Sequence, residues 1–371
     1  MRILVTGGAG FVGSHLVDAL VGRGHRVRVL DSLEPQVHGP EGRAPDHLNR
    51  DAELQVGDVR DRHAVAHALE GVEAVFHLAA AVGVGQSMYE MERYVSINSV
   101  GAAVLLEGVV ERRERIRKLI VASSMSAYGE GSYRNEEGET VFPALRGEGQ
   151  LRSRRWELRD EKQRLLRPIP TPETKPLAPT SIYAITKRDH EEMCLSVGAA
   201  YAVPTVALRY FNAYGTRQSV SNPYTGVMAI FCSRLLNGNR PLLYEDGLQT
   251  RDFVHVSDIV QANLLAFEND QAAGGVYNVG TGEATSVRRV ADLLADEFGV
   301  HEPPEIPEHF RAGDIRHCFA DISKIRQELG YAPRVSLREG LRELLAWLET
   351  QKAEDRVEQA RGELARRGLV Q

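Results

Sequence analysis

The sequence predicts an α/β protein: a doubly wound parallel sheet with helices on both faces and a smaller C-terminal lobe. Three observations predict it. In the first third of the 371-residue chain, short apolar runs alternate with amphipathic stretches of helical spacing, the pattern of repeated strand–helix–strand units. The strand candidates are nearly all apolar, as strands covered on both faces must be. A glycine-rich turn separates the first strand from the first helix.

Taken in order, Arg2–Thr6 reads as a strand and Val12–Gly22 as a helix, followed by strands at Arg26–Leu30, Leu54–Val56 and Ala74–Ala79. Asn98–Glu111 reads as a long helix and Lys118–Ser123 as the fifth strand. Residues 130–176 break this rhythm. They open with Glu136, Glu137 and Glu139, run through arginines from Arg146 to Arg167, and close on Pro168, Pro170, Pro172, Pro176 and Pro179 just beyond. Such sequence neither continues a strand nor fills a core, and it reads as an inserted surface segment. A helix from Ser181 to about Ala200 and a strand Thr205–Tyr210 resume the pattern. After Tyr214 the alternation does not return, which points to a second lobe. Expected domains are therefore 1–180 with the insert, 181–345 returning to the sheet and supplying the smaller lobe, and a charged helical tail over 346–371.

Composition bounds the function. With 43% hydrophobic and 26% charged residues the chain is of ordinary globular type, which excludes a fibrous or wholly disordered protein. A net charge of 45 − 51 = −6 argues against nucleic acid as the main partner. Cys194, Cys232 and Cys318 are odd in number and lack CxxC spacing, so neither a disulfide framework nor a cysteine metal site is expected. The apolar runs fall short of a membrane span, and Met1 leads at once into a strand with no leader pattern. A cytoplasmic protein without membrane attachment is the expectation.

Thr6-Gly7-Gly8-Ala9-Gly10-Phe11-Val12-Gly13 places glycines at 7, 10 and 13 between strand and helix. Without Cβ atoms this backbone can turn tightly and lie against a pyrophosphate, whose charge meets the amides of Phe11, Val12 and their neighbours at the helix N-terminus. A glycine triplet alone is weak evidence, but Asp31 ends the next strand, 18 residues beyond Gly13. A carboxylate there accepts ribose hydroxyls and repels a 2′-phosphate, so the expected cofactor is NAD. Downstream, Tyr183 and Lys187 stand four apart, on one face of the expected helix. A tyrosine of pKa near 10 is a poor base at neutral pH, and a neighbouring ammonium would favour its phenolate. Such a pair is common by itself; in register with the glycine loop it reads as catalytic.

The GxxGxxG spacing followed by YxxxK resembles the extended short-chain dehydrogenase/reductase superfamily, whose Rossmann fold modifies nucleotide sugars. The resemblance runs along the chain apart from the insert. It implies adenine contacts at Asp58 and Val59 in Gly57-Asp58-Val59-Arg60-Asp61. It also implies a small-residue cofactor loop at Leu78, Ala79 and Ala80, a helix asparagine at Asn98, and a share for Tyr183 and Lys187 in holding the cofactor. The third catalytic group falls on Ser124, with Ser126 close enough to touch sugar hydroxyls, while Ser123 reads as a structural hydroxyl. On the substrate side the resemblance implies Asn212, Arg251, Arg311 and Asp314. For the two arginines, whose planar forks suit a diphosphate, ordinary surface roles stay open. His77 reads as a hydrogen-bonded core residue, and no metal is expected.

Related 4,6-dehydratases carry an acidic pair directly after the hydroxyl residue, whereas this chain has Met125 and Ser126. That argues for 4-epimerisation of a nucleotide-activated hexose or 6-deoxyhexose through a transient 4-ketone. The stretch Val82–Met88 and the long insert look most like the dTDP-L-rhamnose 4-epimerase group, with dTDP as the expected nucleotide. The insert lacks the cysteine pairs often found there, and its arginines read as a solvated loop or a cap on the diphosphate. A nucleotide-sugar 4-ketoreductase or dehydrogenase and a catalytically silent NAD-binding regulatory protein are the alternatives. The resemblance also implies a homodimer.

Overall fold

The structure, a computed structural model, describes residues 1–351 and 353–371. Seven parallel strands form the central sheet: β1 (Arg2–Thr6), β2 (Arg26–Asp31), β3 (Glu53–Val56), β4 (Ala74–His77), β5 (Lys118–Ser124), β6 (Thr205–Tyr210) and β7 (Val276–Val279). Their order is β7-β6-β5-β4-β1-β2-β3, with Thr6 opposite His77 and Ser124 opposite Tyr210. The chain moves outward from β1 to β3 and then crosses back to β4. This reversal opens a crevice at the C-terminal ends of β1 and β4, where sheets of this kind bind ligands.

Alternation along each strand divides the core between the two faces. Ile3, Val5, Phe76, Ile120 and Leu208 pack with helices Phe11–Gly22 and Val256–Glu268 on one side. Leu4, Val75, Leu119, Val121 and Ala207 pack on the other with Val65, Leu105 and Cys194 from helices Arg62–Ala68, Gly101–Glu111 and Ile182–Tyr201. The lobe after Tyr214 has a core of its own, in which Phe231, Leu243, Phe253, Leu294 and Leu341 meet. All three cysteines are free and buried.

Three expectations about the elements need correction, and one strand lies where none was expected. The strand over Ala74–Ala79 ends at His77, freeing Leu78–Ala80 to form the loop at the crevice. The helix expected from Asn98 starts at Met91 and passes through a π-helical stretch, Val95–Val100, before the regular α-helix Gly101–Glu111. Together these make a 21-residue apolar helix of membrane-spanning length, half buried against the fold. β7 was not legible as a strand. The insert, finally, is folded. Ser132–Arg134 pairs antiparallel with Thr140–Val141 and Arg167–Ile169, and Tyr133, Leu158 and Leu166 make a small core beneath that sheet.

Candidate active site

The glycine loop is shaped by close approach. Gly7 adopts φ +70, and a Cβ there would come within 2.8 Å of the Ala79 nitrogen. A Cβ at Gly13 would collide with the Gly7 carbonyl and lie 2.7 Å from the Gly8 Cα. The Gly7 N–H donates to the Leu30 carbonyl at 2.9 Å, tying the turn to β2. No side chain caps the Phe11–Gly22 helix among the described residues, so the amides of Phe11 and Val12 are open to an anion. Asp31 is buried at the end of β2, where its carboxylate accepts from the amides of Ala9 (3.0 Å) and Leu33 (2.9 Å). This cradle fits a dinucleotide: bare backbone for the pyrophosphate and an acid for a ribose.

The flanking cofactor positions divide. Leu78, Ala79 and Ala80 lie half-buried beside Gly7, with the Ala79 N–H donating to the Thr6 hydroxyl at 3.3 Å. Val59 is buried under the Gly101 turn, while the Asp58 carboxylate is gripped by Arg60, whose hydrogen bonds hold its pKa below the usual range. Asn98 is fully enclosed. Its side-chain oxygen accepts from the Ala81 N–H (2.7 Å), and its amide donates to the Ala81 carbonyl (3.1 Å) and the Thr186 hydroxyl (2.9 Å). It fastens the crevice loop to the Tyr183 helix, and its polar positions are taken by protein rather than left for a ligand. His77 is a core histidine, with Nδ1 2.8 Å from the Thr6 hydroxyl and its pKa pushed down to about 3 by burial.

Ser181 caps the helix Ile182–Tyr201 by accepting the Ala184 N–H, so that the first turn presents Tyr183 toward the end of β5. The Tyr183 phenol lies near the Ser124 hydroxyl, which accepts hydrogen bonds from the Ser126 N–H (3.2 Å) and hydroxyl (2.9 Å). One turn on, the buried Lys187 ammonium donates to the Ala122 carbonyl at 2.9 Å. The expected depression of the phenol is not built into the protein. Burial pushes Tyr183 up to about 12, with the Ser124 hydrogen bond pulling the other way, and burial pulls Lys187 down to about 8. Desolvation sets both shifts, and the Lys187 ammonium is turned onto a β5 carbonyl. Ser123 is structural, as expected: it donates to Glu191 (2.7 Å), which pairs with Arg209 (2.9 Å), which donates to the Tyr128 hydroxyl (2.8 Å).

The substrate-side residues lie across the crevice in the second lobe. Asn212 begins a short strand paired with Phe253–His255, and its buried side-chain oxygen has no partner among the described residues. Arg251 hooks onto the carbonyls of Thr250 (2.8 Å), Arg316 (2.9 Å) and Ile315 (2.7 Å), leaving two of its five donors for a ligand. Arg311 pairs with Asp314 at 2.7 Å and stacks on Tyr244. A narrow cavity brings Arg311 and Asp314 together with Thr180 and Ser181, at the start of the Tyr183 helix. Its apolar wall comes from Val84 and Met88, in the Val82–Met88 stretch that carries part of the resemblance, and from Leu364 and Leu369, which nothing local in the sequence marks. The C-terminal pair reaches it because Val370 bridges antiparallel to Arg311, a long-range contact with no local signal.

Comparison with known proteins agrees with this geometry. The model of the NAD-dependent epimerase/dehydratase family matches residues 3–146, and that described as GDP-mannose 4,6 dehydratase matches residues 165–344. The dTDP-L-rhamnose 4-epimerase of Burkholderia thailandensis is 37% identical over 350 residues, covering 94% of either chain. The chain belongs to the NAD-dependent epimerase/dehydratase family. Among solved members, the UDP-glucose 4-epimerase of Thermotoga maritima with UDP-glucose superposes with a TM-score of 0.76 at 33% identity, covering 94% of this chain and 99% of that one. The UDP-glucuronic acid 4-epimerase of Bacillus cereus, in complex with UDP-glucuronic acid and NAD, gives 0.76 at 27% identity over 94% and 99% of the two chains. NAD, the cofactor of this epimerase/dehydratase family, is thus the dinucleotide that the Gly7–Gly13 cradle and Asp31 suit.

Proposed function

We propose that the chain is an isomerase inverting C4 of a nucleotide-linked hexose, with dTDP as the nucleotide and a 6-deoxyhexose as the sugar. The observation that carries this reading is the placement of Tyr183 beside Ser124 at the C-terminal end of β5, with Lys187 buried one helical turn on, and with Met125 and Ser126 rather than acids following Ser124. Proton removal at C4 has its machinery, whereas these two positions hold no carboxylate for eliminating water. The likeness to a 4,6-dehydratase model over residues 165–344 therefore reflects shared fold and substrate type. The dTDP choice rests on the Burkholderia relative, and the UDP-sugar enzymes make UDP-hexoses the natural controls.

When bound, NAD supplies reversible hydride transfer at C4 and a positive ring that favours the Tyr183 phenolate. Tyr183 takes the C4 hydroxyl proton and returns it after inversion. Ser124, fixed by its bonds from Ser126, holds the same sugar oxygen within reach of the phenol. Lys187, anchored on Ala122, holds the cofactor side of the crevice. Asn212 and Arg251 receive the nucleotide diphosphate, and Arg311, oriented by Asp314, closes over the nucleotide. The Asn98 and Glu191 networks keep Tyr183 and β5 in register, so orientation is set before substrate arrives.

The test compares wild type with Tyr183→Phe on dTDP-L-rhamnose and UDP-glucose, following C4 epimers by NMR. Losing the acid–base group should lower kcat by roughly 10²–10⁴-fold with KM little changed. Unchanged turnover in Tyr183→Phe would overturn the assignment. Steady stoichiometric NADH release by wild type would replace the epimerase with an oxidoreductase.

We also infer a homodimer. An apolar groove of about 690 Å³ runs between helices Gly101–Glu111 and Ile182–Tyr201, past Leu106, Val110, Met193, Val197 and Tyr201. Met91, Val95, Val100 and Ile185 are further exposed apolar residues on the same two helical stretches, and a second copy would cover them.

A further inference from the structure

The insert over 130–176 has no part in the chemistry described so far, yet it contributes some of the most deeply buried charges in the chain. The Arg146 side chain is 1% exposed. It donates to both oxygens of Glu245 (2.7 and 2.9 Å), to the Trp156 carbonyl (3.1 Å) and to the Asp314 carbonyl (3.1 Å). Glu157, also in the insert, receives Arg316, which is fully enclosed and also bonded to Glu245 and Asp246. Glu130, at the insert's start, accepts the backbone N–H groups of Arg316 (2.7 Å) and His317 (2.8 Å). With Arg251 taking the carbonyls of Ile315 and Arg316, every residue from 314 to 317 has its backbone held by a side chain from outside that loop. This loop carries Asp314 and follows directly on Arg311.

We propose that Arg146 is a positioning residue for the substrate's nucleoside diphosphate: through it, the folded insert holds the 311–317 loop in its binding geometry. This rests on the reading of Arg251 and Arg311 as the diphosphate side of the site, with Asp314 orienting Arg311. The arrangement is unlike a solvated loop in one decisive respect. Both terminal nitrogens of the buried guanidinium are satisfied, only its Nε–H lacking a partner among the described residues, and a planar fork spanning one carboxylate and two carbonyls defines where those carbonyls sit. The Asp314 carbonyl is one of them. Arg146 acts at a distance from C4, so losing it should cost binding shared by ground state and transition state, and leave chemistry intact.

The experiment titrates UDP and dTDP into NAD-loaded wild type, Arg146→Lys, Arg146→Met and the exposed-insert control Arg152→Lys, with NAD content measured in each. Lysine keeps the charge but cannot reproduce the fork, so Arg146→Lys remains informative where Arg146→Met fails to fold. The expected result for Arg146→Lys is at least tenfold weaker nucleoside diphosphate binding and a matching rise in KM. Its kcat should stay within threefold of wild type and its NAD content unchanged, with Arg152→Lys indistinguishable from wild type. Nucleotide affinity within twofold of wild type in Arg146→Lys would overturn the proposal. So would a fall in kcat and NAD content without a rise in KM, which marks a general structural role. If wild type binds neither nucleotide, the substrate reading itself fails, which is a different result from a variant that binds as wild type does.

Discussion

Lys187 holds a positive charge in the protein interior, and its removal should make the NAD-free protein more stable while abolishing turnover. Its side chain is buried, its ammonium has one hydrogen bond to the Ala122 carbonyl, and its pKa falls from 10.5 to about 8. At ~1.4 kcal/mol per pKa unit, keeping the ammonium charged in the fold at pH 7 costs on the order of 3 kcal/mol. Lys187→Met preserves the shape but leaves the Ala122 carbonyl without its donor, at about 1 kcal/mol. A net gain of roughly 2 kcal/mol remains. With an unfolding entropy of ~2 cal/mol/K per residue, that corresponds to a rise in melting midpoint of roughly 3 °C. The sign with pH is fixed: because the folded pKa lies below the unfolded one, the penalty is full below pH 8 and disappears as pH rises from 8 to 10.5. The advantage of Lys187→Met should shrink across that window. Thermal scans of NAD-stripped wild type and variant at pH 7 and pH 10 measure it. A less stable variant at pH 7, or a gain independent of pH, would refute the desolvation reasoning.

Three further outcomes follow from particular contacts. Glu191→Ala leaves Arg209 buried without its carboxylate and should destabilise the protein by about 3–5 kcal/mol, read as a lowered melting midpoint. Gly13→Ala drives a Cβ into the Gly7 carbonyl and should remove NAD from the purified protein, measured by absorbance, whereas Gly149→Ala meets nothing within 4 Å and should retain it. Met193→Asp places a charge in the groove between helices Gly101–Glu111 and Ile182–Tyr201 and should shift the protein from dimer to monomer in light scattering. A monomeric wild type would contradict the last of these.

What the sequence discloses depends on how local the signal is. The first five strands, the glycine loop and Asp31 are legible because alternation, turn chemistry and strand ends are written over a few residues. Tyr183 and Lys187 are legible through their four-residue spacing; Ser124 needed the family resemblance. The insert defeats such reading. Arg146 and Glu245 are 99 residues apart, and nothing nearby distinguishes an arginine that will be buried and paired from one that will be solvated. The same holds for Leu364 and Leu369, whose place opposite Val84 and Met88 follows from a bridge between Arg311 and Val370. Protonation is a property of burial: Tyr183 and Lys187 carry shifts set by desolvation, which spacing cannot register.

The central claim, that the C4 hydroxyl proton is exchanged by Tyr183 while bound NAD would take and return the C4 hydride within a single site, is tested by a nucleotide hexose carrying deuterium at that carbon. Incubated with the holoenzyme in ordinary water, dTDP-L-rhamnose labelled at C4 should yield its C4 epimer with the deuterium retained and no net NADH. Loss of the label to solvent, or a 4-keto product accumulating with NADH, would contradict it.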